Sequence, residues 1–353
     1  MKKILVILGP TATRKTDLAL YLAKKLNGEL VACDSRQVYK GLDIGTGKLP
    51  APMSNLKCPV KDEARSPRSE AAGLWRQMSN VEKKNGYWKI DGIKIHMYDV
   101  VSLKIQFTVA DYVKDANRVI NDIEKRGKLP IIVGGTGLYA KALIEGLSSL
   151  ETPVNKKLRQ KLNFLSLKQL QKKLQKIASE KWQSLNHSDK NNPRRLVRAI
   201  ELEINKGDTG NRGNWGNQRL AREFDILKIG LNASRDILYE KINKRVYKWI
   251  EEGILEEVKN LRSKGISKDR FKELGLEYSV ALEYLDKKIT LEEMVNKMQT
   301  KVRQYAKRQI TWFKRDKNIF WFDISDKDYL IKVENFITKW YHQLKITKYA
   351  AKN

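Results

Sequence analysis

The sequence predicts an α/β fold, a parallel sheet flanked by helices, with a helical lobe inserted into it. Three observations carry that reading. Short, continuously apolar runs stand at Ile4–Leu8, Leu30–Cys33, Ile95–Val101 and Ile131–Val133, and again at Ile226–Leu231 and Ile319–Phe322. Helical patterns separate them: between the first two runs Leu18, Leu22 and Leu26 return every fourth residue on one face. Strands that are apolar throughout are buried on both sides, as in parallel sheets covered by helices. A glycine-bearing turn, Gly9 to Thr16, then joins the first run to the first helix.

The elements follow in order. The start, Met1 to Gly9, is basic and then apolar, too short for a secretory segment and without a small-residue cleavage site, so it reads as the first strand. Residues 1–150 form the first part of the core, interrupted at about 49–92 by Pro50, Pro52, Pro59 and Pro67 among mixed charges. That stretch is predicted to be an irregular insertion, partly ordered around Trp75 and Trp88. Residues 151–206 read as helical and lysine-rich, ending in a Gly/Asn-rich run at 207–217 that should be a loop. The basic helical insertion is therefore 151–222. From 223 to 353 the core resumes, with long helices from Asp236, a short strand and a lysine-bearing tail. No internal repeat is visible.

Seventy Lys and Arg against 41 Asp and Glu leave a net charge of +29. A surplus of that size gathers polyanions. It is also concentrated: residues 151–222 carry 17 basic and 6 acidic side chains, and 296–317 carry 8 and 1. Two blocks indicate a nucleic-acid footprint rather than a uniform lysine bias. Within 291–315, Met294, Met298, Val302, Tyr305 and Trp312 form an apolar stripe expected in the core. Lys297, Lys301, Gln304, Arg308, Thr311 and Arg315 line another face. Other classes are excluded. No stretch approaches 18 uninterrupted apolar residues, Cys33 and Cys58 show no pairing or metal spacing, and His96, His187 and His342 lie far apart. A cytoplasmic protein without a membrane span is expected.

Gly9-Pro10-Thr11-Ala12-Thr13-Arg14-Lys15-Thr16 follows a strand and opens a helix, the context in which backbone N–H groups cradle a phosphate and a lysine neutralises it. The hydroxyl of Thr16 falls where such loops hold Mg²⁺. Three of four fixed positions match, and Arg14 stands where the pattern has glycine. A bare strand–turn–helix is the competing reading. Asp34 ends the second strand, and carboxyl ends of parallel strands face the ligand crevice. It suits a base or a water-mediated metal ligand, or equally a turn cap. A second glycine turn, Val133 to Tyr139, again links strand to helix. Arg194, Arg195 and Arg198 offer guanidinium forks to phosphates, or form a solvated face.

Taken together, Gly9–Thr16, Asp34–Lys48, Gly134–Leu147, Pro193–Glu201, Ile242–Leu261 and Ala306–Phe313 resemble, in order, the motifs of the tRNA dimethylallyltransferases (isopentenyltransferases). The match covers most of the chain outside 49–92 and 207–222, and the fold it implies is the P-loop NTPase-like one. The resemblance implies transfer of a dimethylallyl group from dimethylallyl diphosphate to N6 of the adenosine 3′ to the anticodon. It further implies Mg²⁺, a monomer, and a helical insertion that grips the anticodon stem-loop of tRNA. By motif match, Gly9, Pro10, Thr11, Ala12, Thr13, Arg14, Lys15 and Thr16 would hold diphosphate, and Thr16 the metal. Asp34 would take the N6 proton and Arg245 would steady the diphosphate. Asp34, Ser35, Arg36, Gln37, Thr136, Arg159, Arg194, Arg195, Arg198, Gly275, Gln304, Arg308 and Thr311 would touch tRNA.

The side chains suit that chemistry. A departing diphosphate gathers negative charge, which N–H donors, lysine, arginine and Mg²⁺ stabilise. An adenine amino group is a weak nucleophile that a carboxylate base assists, and a loop base leaves its stack more readily than a paired one. The chain departs from the family at Arg14, in the length of 49–92, and in the sequence of 207–217. No zinc-finger extension follows residue 325, which favours the bacterial branch. A phosphate-loop kinase of small metabolites would leave +29 and the Ala306–Phe313 motif unexplained. A catalytically decayed RNA-binding protein finds support only in Arg14.

Overall fold

The computed structural model describes residues 2–48, 80–150, 152, 154–205 and 220–350, with 343–350 by backbone alone. The proline-rich part of the expected insertion, Trp75 included, and the 207–217 loop lie outside the described residues.

Eight strands form one sheet: β1 (Lys2–Leu8), β2 (Gly28–Cys33), β3 (Val81–Lys84), β4 (Gly86–Ile90), β5 (Ile93–Tyr98), β6 (Leu129–Gly134), β7 (Phe224–Asn232) and β8 (Ile319–Asp323). Their order is β3-β4-β5-β2-β6-β1-β7-β8. From β5 to β8 every pairing is parallel, and β2 and β6 are buried along their whole length. That is the parallel sheet the apolar runs predict.

Its other edge corrects the prediction. Residues 81–92, the end of the stretch expected to be irregular and only partly ordered, form regular strands: β3 pairs antiparallel with β4, and β4 with β5. Asp91 (φ 47°) and Gly92 (φ 84°) both take the left-handed region, the signature of a two-residue hairpin turn of the I′ kind. Trp88 is fully buried and meets the Tyr98 ring edge-on at 5.4 Å. The expected strand Ile95–Val101 starts earlier and stops at Tyr98, while Val101 pairs alone with Tyr39.

The helices are α1 (Lys15–Lys25), α2 (Val109–Lys125), α3 (Gly137–Glu145), α4 (Lys156–Asn163), α5 (Leu167–Ile177), α6 (Ser179–Ser184), α7 (His187–Lys190), α8 (Pro193–Ile204), α9 (Leu220–Glu223), α10 (Arg235–Glu251), α11 (Ile254–Ser263), α12 (Lys268–Leu274), α13 (Leu276–Leu285), α14 (Leu291–Phe313) and α15 (Tyr329–Ala350). The chain divides into two compact units, Met1–Leu143 with Ala221–Asn353, and Ile144–Leu220. In the first, α10 to α14 pack through Ile242, Val246, Val258, Phe271, Tyr278 and Met298. The second has its own core of Leu162, Leu170, Leu174, Leu196 and Ile200. Its helices start where the sequence supplies caps: Ser166 and Gln169 make a capping box for α5, and Asn192 caps α8 ahead of Pro193. The lysine-bearing tail is not loose. It forms α15, which buries Val333 and Ile337 and donates from Trp340 Nε1 to Asp225 at 2.9 Å.

Candidate phosphate-binding active site

The turn after β1 is shaped by its own side chains. Gly9 (φ 141°) passes so close to β7 that an added Cβ would stand 2.3 Å from the Leu231 carbonyl oxygen. Thr13 is buried and donates its hydroxyl to the Pro10 carbonyl at 2.8 Å, and Lys15 Nζ donates to the same oxygen at 2.5 Å. The loop thus curls around its own lysine at the start of α1. Arg14 has φ 54° and ψ 35°, the left-handed conformation that explains why the pattern wants glycine there. Its side chain is exposed.

At the carboxyl edge of the sheet this loop opens into a cleft of about 640 Å³, lined also by Thr16, Asp17, Asp34, Arg36, Arg245 and Tyr305. Asp34 accepts the Arg36 backbone N–H at 2.9 Å through one oxygen, and the other has no protein partner among the described residues. Arg36 donates to both Glu277 oxygens at 3.0 and 3.2 Å, with its guanidinium 5.2 Å from the centre of the Tyr305 ring. Arg245, from α10, stacks over Trp249 at 5.1 Å and lies against Gly47, where an added Cβ would be 1.7 Å from Nη2. Burial, reinforced by the Arg245 charge and opposed by Asp34, lowers the Lys15 ammonium to about 7. Burial likewise lowers Arg245. Neither group has an ion-pair partner among the described residues, so both are open to an incoming anion, which favours their charged forms.

The remaining expected residues divide between this cleft and other places. Thr136 accepts the Ser35 N–H at 3.1 Å and donates its own N–H to Cys33 at 3.2 Å, tying the second glycine turn to the end of β2. Gln37 donates to the Thr46 carbonyl at 3.3 Å. Gly275 separates α12 from α13 in an extended conformation. Gln304, Arg308 and Thr311 are exposed on α14, as the two-faced pattern predicts. Lys297 of the same ridge is instead paired with Glu283.

Tyr305, expected in the core stripe, lines the cleft, and burial pushes its phenol up to about 12. Two residues lie in stretches that the resemblance assigns to tRNA, the 304–311 helix and the 272–277 turn, without being named individually. Gln309 accepts the Thr11 N–H at 2.9 Å and donates to the Gly135 carbonyl at 2.9 Å, fastening both glycine turns to α14. Glu277 holds Arg36. In the helical unit three of the expected arginines also have internal partners. Arg159 donates to Glu201 Oε2 at 2.6 Å; Arg198 pairs with Glu201 and donates to the Thr152 carbonyl at 2.8 Å; Arg195 pairs with Asp189. A fully buried Glu201 needs such partners, so Arg159 and Arg198 are committed within the unit. Arg194 is exposed on α8.

Among the described residues no group of three or more His, Cys, Asp or Glu is assembled for a metal. The Thr16 hydroxyl and Asp34 carboxylate share the cleft. So sparse a donor set suits Mg²⁺, which keeps several waters and takes phosphate oxygens as ligands.

A turn of phosphate-loop pattern at the carboxyl edge of a parallel sheet, facing cations with no ion-pair partner among the described residues and an open carboxylate, marks the candidate active site of an α/β enzyme. The IPP transferase family model matches residues 74–316, and the chain belongs to that family. A tRNA dimethylallyltransferase of Halalkalibacterium halodurans is 33% identical over 95% of this chain and 96% of its own length. One from Caldanaerobacter subterraneus subsp. tengcongensis is 37% identical over 92% of each chain. The crystal structure of the full-length tRNA isopentenylpyrophosphate transferase from Bacillus halodurans superposes with a TM-score of 0.64 at 32% identity, covering 99% of this chain and 100% of that one. A eukaryotic dimethylallyltransferase crystallised acting on tRNA shares the fold, with a TM-score of 0.71 at 24% identity over 98% of this chain and 80% of that one.

Proposed function

We propose that the protein transfers a dimethylallyl group from dimethylallyl diphosphate to N6 of the adenosine on the 3′ side of the anticodon, working with Mg²⁺ as a cytoplasmic monomer. The observation that carries this reading is the single cleft in which the phosphate loop, Lys15, Arg245 and the half-open Asp34 carboxylate converge. Loop N–H groups, Lys15 and Arg245 receive the diphosphate, whose binding draws a proton back onto the lysine. The carbon–oxygen bond to diphosphate breaks as the N6–carbon bond forms, and Asp34 accepts the proton that N6 loses. When bound, Mg²⁺ at Thr16 neutralises part of the charge gathering on the departing diphosphate. Arg36, held by Glu277 and stacked on Tyr305, forms a rigid wall beside Asp34 that suits a flat base turned out of its stack.

The test is a transfer assay with an unmodified tRNA transcript, labelled dimethylallyl diphosphate and Mg²⁺, read by nucleoside mass spectrometry. Label on N6 of that one adenosine is expected. ATP consumption without tRNA would establish the kinase, and tRNA binding without transfer the decayed binder.

A further inference from the structure

The side chain of Lys48 is fully enclosed, and the transfer chemistry above makes no use of it. All three hydrogens of its ammonium are taken: Nζ donates to the Tyr39 carbonyl at 2.8 Å, to Asp43 Oδ1 at 3.1 Å and to Asp99 Oδ1 at 2.6 Å. The second oxygen of each acid is held from the antiparallel hairpin. Trp88 Nε1 donates to Asp99 Oδ2 at 2.6 Å. Lys83 Nζ, 4.3 Å from the centre of the Trp88 ring, donates to Asp43 Oδ2 at 2.6 Å. Two ammonium groups thus balance two carboxylates. Asp99 itself has φ 54°, a left-handed conformation that a non-glycine residue keeps only where its surroundings over-determine it. An enclosed ion cluster seldom adds stability over an apolar one of the same volume, so stability alone does not account for it.

What Lys48 terminates does account for it. Residues 44–48 form one wall of the cleft. The Lys48 N–H donates to the Asp43 carbonyl at 3.1 Å, which closes the segment into a loop. At its start, Glu257 on α11 accepts the Asp43 and Ile44 N–H groups at 3.0 and 2.9 Å, and the Tyr278 hydroxyl at 2.6 Å. The loop is therefore pinned by Glu257 at one end and by Lys48 at the other. Between the pins, Gly45 lies on the Tyr278 ring, where an added Cβ would be 2.7 Å from Cζ, and Gly47 lies on the Arg245 guanidinium. Arg245 has no hydrogen-bond or ion-pair partner among the described residues. Its place is set by packing, with Trp249 on one side and Gly47 against Nη2.

We infer, on the reading above of Arg245 as the arginine that meets the diphosphate, that Lys48 is a positioning residue: by clamping the 43–48 loop it holds Gly47 against Arg245 and fixes where that guanidinium meets the anion. The β3–β4 hairpin supplies the outer half of the clamp through Lys83 and Trp88. The test is a double-mutant cycle between Lys48→Met and Arg245→Ala. It is read by calorimetry of pyrophosphate binding with Mg²⁺ and by single-turnover transfer to unmodified tRNA. Lys48→Met alone should slow transfer by about 10- to 100-fold and weaken pyrophosphate binding, because a misplacement of about 1 Å is enough to cost that much. In the Arg245→Ala background it should change either readout by less than about twofold, since the group it positions is gone. A lysine that only stabilises the fold would give the same loss in both backgrounds. Trp88→Phe keeps the lysine and removes the Nε1–H bond to Asp99. It should show a smaller loss with the same dependence on Arg245, and it decides the question if Lys48→Met does not fold. Equal losses in both backgrounds, or no loss in folded Lys48→Met, overturn the positioning role. A wild type that binds pyrophosphate but transfers nothing overturns the functional reading, and the cycle in pyrophosphate affinity then decides the role of Lys48 by itself.

Discussion

Glu29 and Asp34 stand at opposite ends of β2, five residues apart, and the protein treats them in opposite ways. Glu29 is almost wholly buried. It accepts hydrogen bonds from Arg126 at 2.6 and 2.7 Å, from Lys128 at 2.8 Å, and meets His96 Nε2 at 2.8 Å. Burial alone would raise its carboxyl, but the bonds from Arg126, Lys128 and His96 outweigh that and hold it well below the usual carboxylate range. Asp34 has one backbone hydrogen bond and opens into the cleft. The saturated carboxylate braces the amino edge of the sheet; the unsaturated one, at the carboxyl edge, is left with capacity to accept a proton. What distinguishes a structural acid from a chemical one here is how many of its lone pairs the fold has already used.

Isosteric amides test that contrast from both ends. Asp34→Asn should lower transfer by about 10²–10⁴-fold with tRNA affinity and unfolding midpoint retained, since the amide keeps the shape but accepts no proton. Glu29→Gln should lose about 2 kcal/mol in denaturant unfolding and keep its turnover per folded molecule. That is less than the 3–5 kcal/mol for stripping a buried ion pair, because Arg126 and Lys128 are each 34% exposed. The Glu29 contribution is present in full above pH 4.5, its ordinary value, and falls as acid protonates it. The stability gap between wild type and Glu29→Gln should therefore shrink below about pH 4.5. Full transfer activity in Asp34→Asn would dissolve the distinction.

A smaller effect concerns the cation opposite Asp34. Because burial and the Arg245 charge lower Lys15 to about 7, much of it is neutral above that pH, and an arriving diphosphate must restore its charge. Donor binding at pH 8, where the phosphate is already ionised, should take up a fraction of a proton. Affinity should fall as pH climbs from 7 toward 10. Calorimetry in buffers of different ionisation enthalpy reads the uptake directly, and Lys15→Met should abolish it. Proton-neutral binding by the wild type would mean that the lysine is already charged before the diphosphate arrives.

The legible part of the molecule is the part whose chemistry lies in neighbouring residues. Gly9 to Thr16 and the carboxylate after β2 announce themselves because strand, turn and helix follow within a few positions. Gln309 and Glu277 gave no such signal: each acts on a partner more than 170 positions away, and only the sheet and α14 bring them together. Arg159 and Arg198 also have an internal partner that the motif match does not announce, the Glu201 carboxylate on α8. The hairpins at 81–98 are only partly legible: Ile95–Val101 reads as a strand, but the tight-turn signals Asn85-Gly86 and Asp91-Gly92 sit in the stretch that reads as irregular. The prolines and mixed charges upstream obscured them.

The smallest expected effect belongs to Arg14, where the sequence breaks the phosphate-loop pattern and the structure shows how it does so. A non-glycine residue at φ 54° carries roughly 1–2 kcal/mol of backbone strain. A cation at the first turn of α1 opposes the helix dipole by a further ~0.3–1 kcal/mol. Against these, glycine would lose more backbone entropy on folding, about 0.5–1 kcal/mol. Arg14→Gly should therefore be more stable by on the order of 1 kcal/mol, a rise of a few degrees in Tm at most. Its effect on the reaction depends on where the side chain spends its charge. Arg14 is exposed, makes no ion pair among the described residues and lines the cleft, whereas Lys15 is bonded to the Pro10 carbonyl. Removing it leaves no group unpaired, so donor KM should shift by less than about fivefold, with kcat retained and the shift shrinking in higher salt as a screened surface charge requires. A tenfold or larger rise in donor KM that persists in high salt would instead place the guanidinium directly on the diphosphate, and the strained arginine would then be a second phosphate ligand added to the loop rather than a tolerated departure from glycine.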